Sequence, residues 1–199
     1  MEFEIIPAVH FHPVSWSGGT TTELFIFPES AQYRERDFQF RISTAKVESD
    51  KSDFTSLKGV SRTLLILEGK ITIKHEGHYS KELNKFDTDK FPGDWKTSSV
   101  GRCSDFNLMT TGHTRGELGY LVVRGGKSSC LEIQDKSDWF FMYVYTGKVR
   151  VDLGNEKLSL DRGDLLKIHK HGTMKIEILS SQDSELILAE ITSHQDTVG

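Results

Sequence analysis

Apolar and polar residues alternate with a period of two along much of this chain. Over residues 38–45, Phe38, Phe40 and Ile42 alternate with Gln39, Arg41 and Ser43, the pattern of a strand with one buried face. The same alternation predicts strands over 62–68, 70–75, 139–145, 148–153, 165–168, 174–179 and 185–191. Turn formers bound these runs at a spacing of roughly 8–12 residues, as in sandwiches and barrels, and helix signals are sparse. The longest apolar runs, 64–67 and 140–145, are strand-sized and far too short for a membrane-spanning helix.

The pattern also repeats. Arg62-Thr-Leu-Leu-Ile-Leu-Glu-Gly69-Lys-Ile-Thr-Ile, followed by Phe91-Pro-Gly-Asp94, is echoed by Phe140-Phe-Met-Tyr-Val-Tyr-Thr-Gly147-Lys-Val-Arg-Val, followed by Asp161-Arg-Gly-Asp164. Each copy reads as strand, Gly-Lys turn, strand, polar hairpin and Gly-Asp turn. Glycine supplies the positive φ such turns require, and the aspartate can bond the nearby backbone. A repeated supersecondary unit implies two similar folded halves, and each half looks like a cupin, a small jelly-roll barrel. The predicted fold is therefore all-β, a bicupin of two tandem cupin-like barrels with little helix. Turn formers cluster at Arg124-Gly-Gly-Lys-Ser-Ser129, which places the halves at 1–124 and 125–199.

Composition narrows the function classes. With 36% hydrophobic and 27% charged residues, the 199-residue chain is of ordinary globular type and can bury a core without staples. A net charge of −4 with scattered Lys and Arg leaves no footprint for nucleic acid. Residues 1–9 carry Glu2 and Glu4 and no basic segment before a long apolar stretch, so no secretion signal or anchor is expected, and a cytoplasmic location is. Cys103 and Cys130 have no ligand-type spacing and are expected to be reduced packing residues.

Metal-dependent cupins place two histidines and a glutamate on the strands entering the first Gly turn, and a third histidine after the Pro-Gly turn. Here the glutamate position falls at Arg62, residues 55–58 contain no histidine, and Trp95, Lys96 and Thr97 follow the Pro-Gly-Asp turn. In the second half that position falls at Phe140, so His169 and His171 find no fellow metal-ligand residues at the cupin positions of the other strands. An arginine among the ligands repels a cation, so neither a metal nor another cofactor is expected. His10-x-His12 lies far upstream and reads as a surface or edge strand. His75, His78, His113 and His194 read as exposed hairpin, loop or tail residues.

Candidate binding chemistry lies elsewhere. Alternate positions carry Arg41 and Ser43, Arg62 ahead of Leu64 and Ile66, and Asp105 with Asn107. Turned inward, these faces offer two guanidinium forks, a hydroxyl, an amide and a carboxylate. Such a set suits a small organic anion, because arginine recognises a planar carboxylate in bidentate fashion. The competing reading puts Arg41, Ser43 and Asp105 in water and leaves Phe38, Phe40, Ile42, Phe106 and Leu108 as the core. Trp16 and Glu23 flank a Gly/Thr loop placed to close the barrel mouth. Phe140, Phe141, Tyr143 and Tyr145 are expected in the core and between the halves.

Six ordered segments carry a more specific resemblance: Trp16-Ser-Gly-Gly-Thr-Thr-Thr-Glu23, Phe40-Arg-Ile-Ser-Thr-Ala45, Phe54 with Gly59-Val-Ser-Arg62, Leu67-Glu-Gly69, Phe91-Pro-Gly-Asp94 and Asp105-Phe-Asn-Leu-Met109. Across about residues 1–123 they resemble the HutD/Ves family of bicupins. The first departs from the family pattern of Trp, a basic residue, Asn and three glycines, since Ser17 and two glycines follow Trp16. The resemblance implies a metal-free bicupin, in some bacteria encoded beside histidine-degradation enzymes, that binds a pathway intermediate or product. It also favours the inward reading of Arg41, Ser43, Arg62, Asp105 and Asn107, which lie within the matched segments.

Two functions of different class follow. One is a non-enzymatic protein that senses or buffers a carboxylated metabolite, with no nucleic-acid or membrane partner. The other is a metal-independent isomerase, epimerase or hydrolase on a small organic acid, with Asp105 or Glu23 as base and an arginine holding the substrate. Histidine is the commonest such base and none lies in the matched segments, which favours binding. A third, structural reading is a homodimer paired through sheet edges.

Overall fold

A computed structural model describes residues 2–169 and 172–193, and each run predicted above from alternation overlaps a strand. Strand β1 (Glu2–Ile6) precedes a 3-10 turn at Ala8–His10. Then follow β2 (Pro13–Trp16), β3 (Gly19–Phe27), β4 (Phe40–Val47), β5 (Lys51–Asp53), β6 (Val60–Gly69), β7 (Ile71–His75), β8 (Tyr79–Leu83), β9 (Thr88–Pro92), β10 (Thr97–Val100) and β11 (Cys103–Thr111). The last eight are β12 (Arg115–Val123), β13 (Lys127–Ile133), β14 (Trp139–Thr146), β15 (Lys148–Asp152), β16 (Lys157–Asp161), β17 (Leu165–His169), β18 (Met174–Ser180) and β19 (Ser184–Thr192). That one turn is the only helical element among the described residues, and no described helix is long and apolar enough to cross a membrane.

Two compact units emerge, 11–115 and 116–199 joined by 1–10. Each is a pair of antiparallel sheets, the architecture expected of a cupin half. In the first unit a six-stranded sheet of order β2-β3-β4-β11-β6-β9 accompanies a four-stranded sheet of order β5-β10-β7-β8. Leu64 and Ile66 of β6 pack with Ile71 and Ile73 of β7, Leu83 of β8 and Phe91 of β9, so apolar contact holds the two sheets together. In the second unit the orders are β1-β17-β14-β19-β12 and β13-β18-β15-β16. Its apolar core includes Phe140, Met142, Leu166, Ile168, Ile176 and Ile178.

The unit boundary differs from the expected cut between residues 124 and 125. β1 pairs antiparallel with β17, from Glu2 opposite His169 to Ile6 opposite Leu165, and β12 forms the far edge of the same sheet. Residues 1–10 and 116–124 therefore complete the second barrel. Nothing local in the sequence marks a pairing across so much chain.

The repeat is visible in the backbone. Gly69 and Gly147 end the equivalent strands β6 and β14 with φ of 82° and 84°. A Cβ at Gly69 would lie 2.4 Å from the Arg102 carbonyl oxygen, and one at Gly147 would lie 2.0 Å from Ser184 Oγ, so conformation and close approach both require glycine. The Gly-Asp turns are less alike. Gly163 has φ of 91°, whereas Gly93 does not take a positive φ; its Cβ is excluded because it would meet the Leu57 and Val60 carbonyl oxygens at 2.8 and 2.9 Å. Asp164 accepts from the Asp161 and Ala8 amides, bonding backbone before the turn rather than beyond it.

Candidate functional site

The central strands of the six-stranded sheet are buried on both faces, which decides how their polar residues must be read. Phe40, Ile42, Phe106 and Leu108 are buried on one face, while Arg41, Ser43, Arg62, Asp105 and Asn107 are buried on the other. The water-facing alternative for Arg41, Ser43 and Asp105 is therefore wrong.

Register brings these residues together. Arg41 of β4 and Arg62 of β6 both lie opposite Met109 of β11, and Arg62 is also opposite Phe91 of β9. The neighbouring row holds Glu23 of β3, Ser43, Asn107 and Leu64. The row beyond holds Thr21, Ala45, Asp105 and Ile66. Side chains two residues apart on a strand share a face, so all six predicted polar residues from Glu23 to Asn107 point the same way. A bulge between Glu23 and Phe25 sets this alignment, putting Glu23 opposite Ser43 while the apolar end of β3 keeps Ile26 opposite Arg41.

The two arginines differ in their partners. Arg41 Nε donates to Glu23 Oε2 at 2.6 Å, its NH1 donates to Ser43 Oγ at 3.0 Å, and its guanidinium lies 4.5 Å from the centre of the Tyr33 ring. Arg62 has only a long bond from NH1 to the Thr55 carbonyl, 3.4 Å, and its buried Nε has no hydrogen-bond partner. Its guanidinium lies 4.9 Å from the Phe54 ring centre and 5.8 Å from that of Phe91, favourable contacts that replace little of the lost hydration. Burial lowers the Arg62 pKa, opposed by Tyr33 and Asp105 and reinforced by Arg41.

Asn107 Oδ1 is likewise buried without a partner. Burial pushes Asp105 up to about 7, and nearby Arg62 offsets only part of that shift. Buried polar groups normally find partners, so this face keeps a free donor and a free acceptor with which a polar group could bond.

Trp16 is not brought into this set. It is 40% exposed, donates from Nε1 to Thr21 Oγ1 at 3.2 Å and covers Gly18, where a Cβ would meet the indole at 2.0 Å. A surface hollow of about 350 Å³ runs along β6 and β9 over Val60, Ser61, Lys90 and Phe91, and it takes in none of the seven predicted residues.

Sequence reasoning missed several participants. Tyr33 lies in a turn-rich stretch between β3 and β4 that carries no periodic signal. Phe54 and Phe91 flank Arg62 but resemble ordinary core residues. His75 is a correction: it is 1% exposed, with Nδ1 2.8 Å from Thr97 Oγ1 and Nε2 2.9 Å from Asp89 Oδ2. Tyr79 donates to Asp89 Oδ1 at 2.9 Å. The signal was available, because Ile71, Ile73 and His75 share one alternating face.

His78 and His113 are exposed as expected, while His171 and His194 lie outside the described residues. His10 and His12 are exposed too, but His10 sits in the 3-10 turn and His12 just before β2, so they share no strand. Cys103 is buried, whereas Cys130 is exposed on β13 rather than packed.

A family model described as HutD matches residues 8–187. No curated protein sequence matches the chain. Among solved structures, the chain is similar to a conserved protein of unknown function from Pseudomonas aeruginosa PAO1, with TM-score 0.84 and 21% identity, covering 97% of this chain and 100% of that one. It is similar to HutD from Pseudomonas fluorescens SBW25, in a structure described as its formate condition, with TM-score 0.74, 21% identity and coverage of 98% and 100%. It also resembles the bacterial pirin YhhW from Escherichia coli in complex with nickel(II), with TM-score 0.70, 14% identity and coverage of 95% and 98%. Identities this low speak for the cupin-like fold alone.

The polar set here does not fit a divalent cation such as that nickel. It offers two carboxylates, one of them bonded to Arg41, beside two guanidinium groups that repel a cation. Among the described residues, no three His, Cys, Asp or Glu side chains are grouped to hold a metal ion.

Proposed function

This chain belongs to the HutD family, and from that premise we propose that its first barrel binds a small carboxylated metabolite as a sensor or buffer linked to histidine utilisation in the cytoplasm. One observation carries the reading: Arg62 is buried with its Nε unpartnered, beside an equally unpartnered Asn107 Oδ1. A buried guanidinium is costly without an anion, and a carboxylate supplies the planar pair of acceptors that its fork matches. Each charge-assisted hydrogen bond so formed contributes about 1.5–3 kcal/mol. Arg41, already bonded to Glu23 and Ser43, supports the ligand through its charge and through the polar wall it builds.

Thermal-shift and calorimetric titration with formate, acetate, glutamate and the acids of histidine degradation test this reading. Stabilisation by at least one carboxylate, lost in Arg62→Met, is the expected result. Absence of any shift across the whole series sinks it.

A second reading has its own support. A carboxyl titrating near pH 7 is suited to general-base work, so Asp105 favours a metal-independent isomerase, epimerase or hydrolase acting on a small organic acid. Turnover of a bound acid, abolished in Asp105→Asn while binding persists, would select this reading over the sensor.

A further inference from the structure

We propose that occupancy of this site is coupled to proton uptake: a carboxylate settles beside Arg62 as Asp105 becomes a neutral acid, and the two carboxyl groups then share one proton. The inference rests on the carboxylate-binding reading above and adds its regulation.

The charge inventory of the buried face carries it. Arg41 is neutralised by Glu23 at 2.6 Å, and Arg62 is the cation that acts on Asp105. Two guanidinium groups thus stand against two carboxylates. An incoming anion leaves one excess negative charge among buried polar residues, and desolvation makes that costly. Two carboxylates confined to one site relieve the repulsion by retaining a proton between them.

Asp105 is the group placed to take that proton. It is buried, its carboxyl makes no side-chain hydrogen bond among the described residues, and cross-strand register sets it on the same face as Arg62, two positions along β11 from the unpartnered Asn107. As a neutral acid it becomes a hydrogen-bond donor to the ligand carboxylate, a partner that the ionised form cannot provide.

Other ionisable groups do not take its place. Glu23 is held by Arg41 and opens toward solvent. Cys103, on the same strand, is pushed up to about 12 by burial, with Asp105 adding to the effect, and stays a neutral thiol. Tyr33 lies against Arg41. His75 and Asp89 are bonded to one another, and Lys46 and Glu68 are exposed near the strand ends. Because burial pushes Asp105 up to about 7, the coupling falls in the neutral range.

The test is calorimetric titration of the full chain with acetate from pH 6 to 8.5, in phosphate and in Tris, whose different ionisation heats reveal proton exchange. Acetate itself stays ionised throughout. Affinity is expected to fall about tenfold per pH unit above roughly pH 7, with close to one proton taken up per acetate at pH 8. Asp105→Asn is expected to bind acetate with no pH dependence, and at pH 8 about tenfold more tightly than the natural chain. Affinity level with pH and heats independent of buffer would overturn the proton coupling and leave the carboxylate reading standing. A fall with pH that persists in Asp105→Asn assigns the proton elsewhere and also overturns it. Acetate failing to bind at any pH overturns the coupling, while the carboxylate reading falls only if the whole series of acids also gives no shift.

Discussion

Arg41 and Glu23, from adjacent strands, meet at 2.6 Å, and this bond separates the roles of two arginines that otherwise occupy the same register row. Glu23 is 42% exposed and Arg41 only 7%, so the pair lies between water and the buried face. Glu23→Gln keeps a hydrogen-bond acceptor and removes the charge. Stability measured in urea is expected to fall by about 1 kcal/mol, since half-exposed ion pairs contribute little. Acetate affinity is expected to rise several-fold, because the Arg41 charge is no longer cancelled. A drop in affinity would show instead that Glu23 faces the ligand.

Arg41→Lys separates geometry from charge. A guanidinium reaches Glu23 through Nε and Ser43 through NH1 at once, and a single ammonium cannot reproduce that fork. Loss of about 1–3 kcal/mol of stability is expected, together with weaker acetate binding. Unchanged affinity by calorimetry would show that the Arg41 fork plays no part in binding.

Arg62→Met should trade function for stability. The guanidinium is buried with one long hydrogen bond and an orphan Nε, and replacing such a charge with an apolar side chain is neutral or stabilising by about 1–4 kcal/mol. At pH 6, where Asp105 holds its proton, the ligand-free variant is expected to melt no lower than the natural chain and to give no thermal shift with acetate. A fall of several degrees without ligand would show that Arg62 is structural.

Asp105→Asn should reshape the pH dependence of stability. An aspartate in the unfolded chain releases its proton near 3.8, whereas the folded chain holds it to about 7. The folded state binds the extra proton in between, so this contribution is complete below about pH 4 and is lost as pH rises through 7. The variant escapes that loss. Its advantage in urea is expected to grow from near zero at pH 4 to on the order of 4 kcal/mol at pH 8. A constant difference across that range would contradict the titration.

The strands and the repeat were legible because they rest on local rules: alternation over 38–45 overlaps β4 at Phe40–Val47, and Gly69 and Gly147 end equivalent strands at nearly equal φ. Which side of β4 holds water was not legible. Phe40 and Ile42 on one face and Arg41 and Ser43 on the other are all buried, so the alternation is real but neither face is solvent. The place of β1 was hidden for a different reason. Its pairing with β17 spans most of the chain, and its residues are largely exposed, so no apolar pattern announces it. Tyr33 entered the site from a loop, where side-chain direction follows from tertiary contacts and not from period.

His75 shows what a polar residue on an apolar face contributes. Both ring nitrogens are within hydrogen-bond distance of a buried partner, at 2.8 Å from Thr97 and 2.9 Å from Asp89. The ring also packs against Phe91 at 4.4 Å and Trp95 at 5.4 Å. His75→Ala removes this packing and leaves buried Asp89 with the Tyr79 hydroxyl at 2.9 Å and Lys81 at 3.9 Å. Breaking a buried hydrogen-bonded pair from one side costs about 3–5 kcal/mol, a large share of the stability of most domains. Urea denaturation is expected to show a loss of that size. Because His75 belongs to the four-stranded sheet and both its ring nitrogens are taken up by Thr97 and Asp89, the folded variant should keep its acetate affinity within about threefold, below roughly 1 kcal/mol. A stability loss under 1 kcal/mol would mean the network is dispensable, and a tenfold loss of affinity in folded protein would make His75 part of the binding site.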